Sequence, residues 1–590
     1  MTRQDSQNGS GHDGVSDGSN RPDAGKWQSG WASVPPGDPG RPAVPQDQQP
    51  TALNPAVGGT GAYGKASVPL NTARPASPAP SGASSATPSG ASGGADPGPL
   101  PADKSRFFGT KVVAAAATVV VLVALAVVGL VVRPGPIDGW LSAESPAPTR
   151  PAITPDPKPT PVLAAVAAQG EPPSAPAVKA ALDPLVGSAA LGDRVHASVV
   201  DVASQELLYS RDAEVPTTPA STTKLLTAVT ALAARGPAYR LATRAVAGGR
   251  PGEVVIIGGG DPTLAINAKA QFPGAARLDR LAAQVRKAMG GTPITRVTVD
   301  ISLFSGPETA KGWDSEDISP LGQVSRIQAL MTNAGRITPV HNEHGGDPRF
   351  SDPALAAGRA FANLLDVPSE RVGKGKAPAA AAASAPASAA ASAPAAGLTP
   401  GRELGRVESP PLVQILDWML QQSDNTLAEA IGRQVPLAAG AEASFDGTAE
   451  AMIQKLRDLG LNGDEADLYD ASGLSRNNGI SPALLVQTLS LAANGTRPEL
   501  SAMFDGLPVA GWSGTLRTRF VTPSPNRTAQ GVVRAKTGTL SGVNTLAGVL
   551  VTKDGRVLAF ALMASATSDA GAAKSALDKV VAKLVACGCA

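Results

Sequence analysis

Apolar positions divide this chain into three regimes. Met1 to Asp103 shows no apolar periodicity and is rich in Pro, Gly, Ser, Asn and Asp. Such a segment cannot bury enough surface to offset its ordering entropy, so residues 1–103 are expected to form a disordered tail. Val112 to Val132 is an unbroken run of apolar and small residues without a charge. At about 1.5 Å per helical residue it matches a hydrocarbon core of about 30 Å, so the run predicts one transmembrane helix. It starts too far along the chain, and without a small-x-small site close behind, for a cleaved signal peptide. Lys104, Arg106 and Lys111 precede it, and Arg133 alone follows. That bias places the tail in the cytoplasm and everything after 133 outside the cell, a single-pass anchor in the cell membrane. Repeated prolines in 133–180, as in Pro155-Asp-Pro-Lys-Pro-Thr-Pro161, predict a stiff linker.

From near Ala181 the pattern becomes that of a folded protein. Val195 to Val202 and Glu206 to Ser210 alternate around a polar turn and read as a β-hairpin. A helix over Thr222 to Ala234 follows, ended by Gly236 and Pro237. Gly531 to Lys536, Val543 to Val551 and Arg556 to Met563 read as strands, the last two joined at Asp554-Gly555, and Ala572 to Val585 closes the chain as a helix. Strands at both ends with helices between predict an α/β fold, an antiparallel sheet flanked by helices and completed by the two ends of the region. The catalytic domain would comprise 181–245 and 405–590. Between them, 246–404 carries its own strand-like segments, Glu253 to Ile257 and Arg296 to Phe304, and reads as a large inserted domain. Within it, 373–398 is dominated by Ala, Ser and Pro and is expected to be a disordered loop.

A net charge of +2, with Lys and Arg scattered, argues against a nucleic-acid partner. Cys587 and Cys589 are the only cysteines, too close for a zinc-ribbon spacing; they could pair locally or remain two thiols. His341-Asn-Glu-His344, with Asp347 beyond, lacks the spacing of the known zinc motifs, so no metal and no cofactor is expected.

Chemistry concentrates in three motifs: Ser221-Thr-Thr-Lys224, Ser423-Asp-Asn425 and Lys536-Thr-Gly538. Ser221 and Lys224, three apart on a helix, share a face, so a neutral lysine could take the serine proton. Burial and a second cation, Lys536, would lower the Lys224 pKa to that end. Ser-x-Asn recurs at Ser475-Arg-Asn477 and Ser524-Pro-Asn526. The copy at 423 is favoured because apolar helices, Leu412 to Leu420 and Leu427 to Ile431, support it on both sides. Ser423 would relay the proton to a leaving amine and Asn425 would hydrogen-bond a peptide backbone. Lys536 to Thr539 ends an apolar strand, where Lys536, Thr537 and Thr539 would bind a carboxylate and Gly538 would leave room for a substrate strand. Backbone N–H groups of Ser221 and Thr539 would form the oxyanion hole.

The three motifs together are the signature of penicillin-binding proteins and class A β-lactamases. With Pro219 to Lys224, Gly258-Gly-Gly-Asp-Pro-Thr-Leu264, Asp300 to Phe304, Gly312-Trp313, Ser423 to Glu429, Asp470-Ala-Ser-Gly-Leu-Ser-Arg476 and Lys536 to Thr539, the chain resembles the penicillin-binding protein 4 type D-alanyl-D-alanine carboxypeptidase/endopeptidases, the low-molecular-mass class C penicillin-binding proteins. The resemblance covers roughly residues 185 to 590. It implies a transpeptidase/β-lactamase-like domain with an insertion between the first two motifs, a serine peptidase acting on peptidoglycan stem peptides, and inhibition by β-lactams. Ala471 stands where that family usually has Gly. A class A-like β-lactamase is the alternative enzyme, but Asp458-Leu-Gly-Leu-Asn462 offers the wrong acid for its deacylating glutamate. The other alternative is a catalytically silent wall-binding protein.

Overall fold

A computed structural model describes residues 171–340, 346–379 and 398–587. The tail, the 112–132 run, most of the linker, both loop histidines and the stretch 380–397 lie outside these residues. Among the described residues no helix is long and apolar enough to cross a membrane. Residues 175–180, assigned to the linker from their composition, belong instead to helix α1 (Ala175–Val186). A proline in its first turn forfeits no hydrogen bond, and Val178, Leu182 and Val186 recur at every fourth position to bury one stripe.

Hairpin β1 (Arg194–Asp201) and β2 (Leu207–Arg211) leads to helix α2 (Thr223–Arg235), which is buried from Thr223 to Leu232. The chain then builds a second sheet from β3 (Ala242–Ala247), β4 (Glu253–Ile257), β5 (Arg296–Asp300), β6 (Val372–Lys374) and β7 (Glu403–Glu408), in the order β6-β5-β4-β3-β7. Here β4, β5 and β6 are parallel, and helices α3 (Leu278–Met289) and α4 (Pro353–Leu364) pack Leu281, Val285 and Phe361 into its core. Residues 373 and 374, assigned from composition to a disordered loop, belong to a strand, because Val372–Lys374 pairs with β5 and Val372 packs on this core. Strand β5 stops at Asp300 rather than Phe304, since Asp300 accepts the Ser302 N–H and turns the chain.

Helices α5 (Leu412–Gln422), α6 (Asn425–Gly432) and α7 (Phe445–Asp458), the short ladder β8 (Ala466–Asp467) and β9 (Gly479–Ile480), and helix α8 (Pro482–Ala493) come next. Strands β10 (Val533–Leu540), β11 (Val543–Val551) and β12 (Val557–Ser565) and helix α9 (Ala570–Ala586) follow. The last strands join the first hairpin in one antiparallel sheet, β10-β11-β12-β1-β2. Its two faces separate by strand parity. Leu558, Phe560 and Leu562 of β12 pack with α1 and α9, whereas Ala559, Ala561 and Met563 pack with α2, α5, α6, α7 and α8.

Candidate active site

A strained turn carries the candidate nucleophile. Ala220 has a φ of +48° and opens a 3₁₀ turn, Ala220–Thr222, that runs into α2. Two glycines let neighbouring chain close on this turn. A Cβ on Gly473 would lie 1.8 Å from the Ala220 carbonyl oxygen, and one on Gly538 would lie 2.1 Å from Thr545 Oγ1 and 2.9 Å from the Pro219 carbonyl oxygen. Gly538 thus makes room for the serine turn and for Thr545.

One helical turn on, Lys224 is fully buried. Its Nζ lies 3.0 Å from Ser221 Oγ, 2.7 Å from Asn425 Oδ1 and 2.7 Å from the Ser472 carbonyl oxygen. Burial pushes its pKa down to about 8, against the Asp470, Glu429 and Asp424 carboxylates, which favour the ammonium. Lys536 is likewise held well below its ordinary value, by burial and then by the Lys224 charge, a repulsion that the two amines share.

Ser423 ends α5 with a φ of +57°, and Asp424 caps α6 by accepting the Leu427 N–H. The motif is therefore a tight joint between two helices, as its apolar flanks predict. Lys536 Nζ donates to Ser423 Oγ and to the Thr537 carbonyl, each at 2.8 Å. Asn425 Oδ1 accepts from Lys224, and its Nδ2 donates to the Gln323 carbonyl at 3.1 Å, so the amide holds the lysine and is itself anchored by the Gln323 backbone.

Strand β10 does not end at Lys536 but continues to Leu540, because its pairing with β11 runs unbroken from Val533↔Leu550 to Leu540↔Val543. It is an edge strand, and Pro508–Ala510 covers only its beginning: the Ala510 N–H donates to the Val533 carbonyl and the Ala535 N–H to the Pro508 carbonyl, each at 3.0 Å. Alternation turns the backbone of Thr537 and Thr539 the same way as that of Val533 and Ala535, so the open edge begins at the two threonines. Thr537 Oγ1 lies 2.8 Å from Thr515 Oγ1, and Thr539 is exposed.

The other Ser-x-Asn copies serve turns. Ser475 Oγ donates to the Lys311 carbonyl and accepts the Asn477 N–H, and Ser524–Ala529 is a 3₁₀ turn. Asp458 is the last residue of α7, where Lys455 and Gln454 bind its carboxylate. Asp347 is tied to Arg336 at 2.7 Å, and among the described residues no group of His, Cys, Asp or Glu could hold a metal ion. A cavity of about 510 Å³, lined by Arg250, Arg296 and Arg371, lies at the starts of β4 and β5 and shares no residue with the serine cluster.

Glu429, Asp470 and Ser472 stand in segments that carry the family resemblance but were given no role from sequence. Glu429 sits one helical turn beyond Asn425 on α6, and that spacing was a readable signal. Asp470 accepts from the Gly473 and Ser475 N–H groups, Asn478 Nδ2 and Trp313 Nε1, all within 2.8 Å. The Ser472 carbonyl and the Thr515 hydroxyl had no signal, since no side-chain pattern marks a backbone acceptor or a lone threonine.

Residues 178–376 and 389–584 match the D-Ala-D-Ala carboxypeptidase 3 (S13) family. The chain belongs to that family. Carboxypeptidase Rv3627c of Mycobacterium tuberculosis is 39% identical to this S13 enzyme over 446 residues, 74% of this chain and 90% of the relative. Carboxypeptidase DacB of Mycolicibacterium smegmatis is 38% identical over 395 residues, 66% of this chain and 80% of the relative. The crystal structure of penicillin binding protein 4 from Haemophilus influenzae superposes with a TM-score of 0.53 at 20% identity, over 70% of this chain and 99% of that one. That likeness shows the α/β transpeptidase-like fold. The S13 enzyme is a serine-type D-Ala-D-Ala carboxypeptidase.

Proposed function

We propose that this carboxypeptidase trims peptidoglycan stem peptides through an acyl-enzyme on Ser221. The observation that carries the reading is the Lys224 amine, 3.0 Å from Ser221 Oγ and fixed by two further acceptors. When neutral, it donates its two protons to Asn425 and Ser472 and presents its lone pair to the serine hydroxyl. Ser221 Oγ then attacks the penultimate D-alanine carbonyl while its proton passes to Lys224. The substrate lies along the open edge of β10, and the N–H groups of Ser221 and Thr539 receive the oxyanion. Ser423, bridging towards Lys536, returns the proton to the leaving amine. The C-terminal carboxylate meets the Thr537 and Thr539 hydroxyls, with the Lys536 charge behind them. Terminal D-alanine departs and water hydrolyses the ester. The same geometry admits a cross-linked peptide, whose D-Ala-to-diaminopimelate bond would be cut by endopeptidase action.

The apolar run at 112–132 and its flanking charges support a single-pass anchor that presents the enzyme to the wall. β-Lactams, whose ring and carboxylate imitate D-Ala-D-Ala, should acylate the same serine. Fluorescent penicillin added to the full chain in detergent micelles should give one covalent adduct, absent in Ser221→Ala. A folded but unlabelled wild type would overturn the reading and favour a silent wall-binding protein.

A further inference from the structure

Behind the serine, the two-residue ribbon Ala471–Ser472 is clamped between helices α2 and α6. From α2, Lys224 Nζ donates to the Ser472 carbonyl and Thr227 Oγ1 donates to the Ala471 carbonyl at 2.6 Å. From α6, the Glu429 carboxylate accepts the Ala471 N–H, at 3.1 and 3.3 Å from its two oxygens. Two residues three apart on α2 and one on α6 thus hold the ribbon from opposite sides. Lys224, Thr227, Glu429 and Ala471 are all fully buried.

A buried carboxylate is costly, and this one is met by the Ala471 N–H, the Ser472 side chain and Arg433. Arg433 Nη1 approaches it only to 3.5 Å, while the guanidinium lies 4.1 Å from the centre of the Phe445 ring. We propose that Glu429 is a positioning residue for the reaction: its carboxylate fixes the Ala471–Ser472 ribbon so that the Ser472 carbonyl holds the Lys224 amine on Ser221, and its charge balances the ammonium formed when Ser221 is deprotonated. The charged groups acting on it are Asp470 on the ribbon's loop and Arg433 on its own helix, and its own charge acts on Lys224 of α2 alongside those of Asp470 and Asp424. Glu429 neither gives nor takes the transferred proton, which passes from Ser221 to Lys224 and on to the leaving amine. Its own carboxyl is pushed up to about 7 by burial and then by Asp470, and its negative form favours the Lys224 ammonium.

The proposal rests on Ser221 and Lys224 being nucleophile and base, and the two readings fail differently. Glu429→Gln keeps an acceptor for the Ala471 N–H but removes the charge. In fluorescent-penicillin acylation of the full chain in micelles, it should shift the acid limb of the rate profile to lower pH by about one unit, with half-saturating penicillin concentration unchanged. Glu429→Ala, which cuts the ribbon free, should slow acylation more than about tenfold at every pH. A wild type that never labels sinks the parent reading. A labelling wild type with an unmoved limb in Glu429→Gln, or full-rate acylation in Glu429→Ala, sinks this one. Should the Glu429 variants fail to fold, Thr227→Val removes the ribbon's other anchor without touching a charge. It should slow acylation with the limb unmoved, and an unchanged rate would overturn the positioning role.

Discussion

Three acceptors meet the Lys224 amine, but only one of them, the Ser221 hydroxyl, can give a proton back. Asn425 Oδ1 and the Ser472 carbonyl can only accept, so they fix the direction of the lone pair. Lys224 works as a base in its neutral form, and burial brings its pKa from 10.5 to about 8. The acylation rate should therefore fall about tenfold per pH unit below about 8, and Lys224→Ala should lose about 10²–10⁴-fold, both read from labelling time courses. A rate flat between pH 6 and 9 would assign the proton transfer elsewhere. At this scale the sequence shows the groups that react but not those that hold them. Ser221, Lys224, Ser423 and Lys536 announce themselves by type and spacing. Asn425 was legible as a site residue, but its contact with Lys224, which spans 201 positions, was not.

Between elements, the site depends on close approach of backbone to backbone. The loop carrying Ala471 and Ser472 reaches the serine turn only because Gly473, at a φ of +80°, has no side chain to strike the Ala220 carbonyl. Gly473→Ala would combine left-handed strain of about 1–2 kcal/mol with a contact that has to be relieved by moving one loop. It should lower the melting temperature and slow penicillin acylation more than tenfold. Gly460→Ala is the control: its φ is +81°, but open space surrounds it, so it should cost about 1 kcal/mol and leave acylation intact. Equal acylation by the two variants would mean that close approach at Gly473 does not matter. Element type was readable wherever apolar period and capping agreed, as in α5 and α6. It failed where composition and pairing disagree. Prolines disguised the start of α1, and the polar threonines of β10 hid four strand residues that pairing with β11 retains.

Across the whole molecule, the loop region that follows β5 is joined to the turn between α5 and α6 by a buried ion cluster that no local pattern shows. Strands at both ends of the folded region made the sheet that they complete legible. The ion pair was not, since Arg336 and Asp424 stand 88 positions apart. Arg336 donates to Asp424 and to Asp347, each at 2.7 Å, with all three side chains less than a tenth exposed. Asp424 also caps α6 and separates Ser423 from Asn425, so the cluster supports both the joint and the site. Burial opposes ionisation of Asp424, yet the Arg336 and Arg349 guanidiniums outweigh it and hold the carboxyl well below its ordinary range. A depressed folded-state pKa contributes stability above the unfolded value, about 3.9, and that contribution is lost as pH falls through it. Arg336→Met should therefore cost about 3–5 kcal/mol at pH 7, where it strands a buried carboxylate. The difference from wild type should shrink below about pH 4, as the unfolded chain takes up the proton. Guanidinium unfolding followed by tryptophan fluorescence at pH 7 and pH 3 measures both. A gap that is small at pH 7, or that stays constant with pH, would show that packing rather than this charge cluster holds that loop region to the turn.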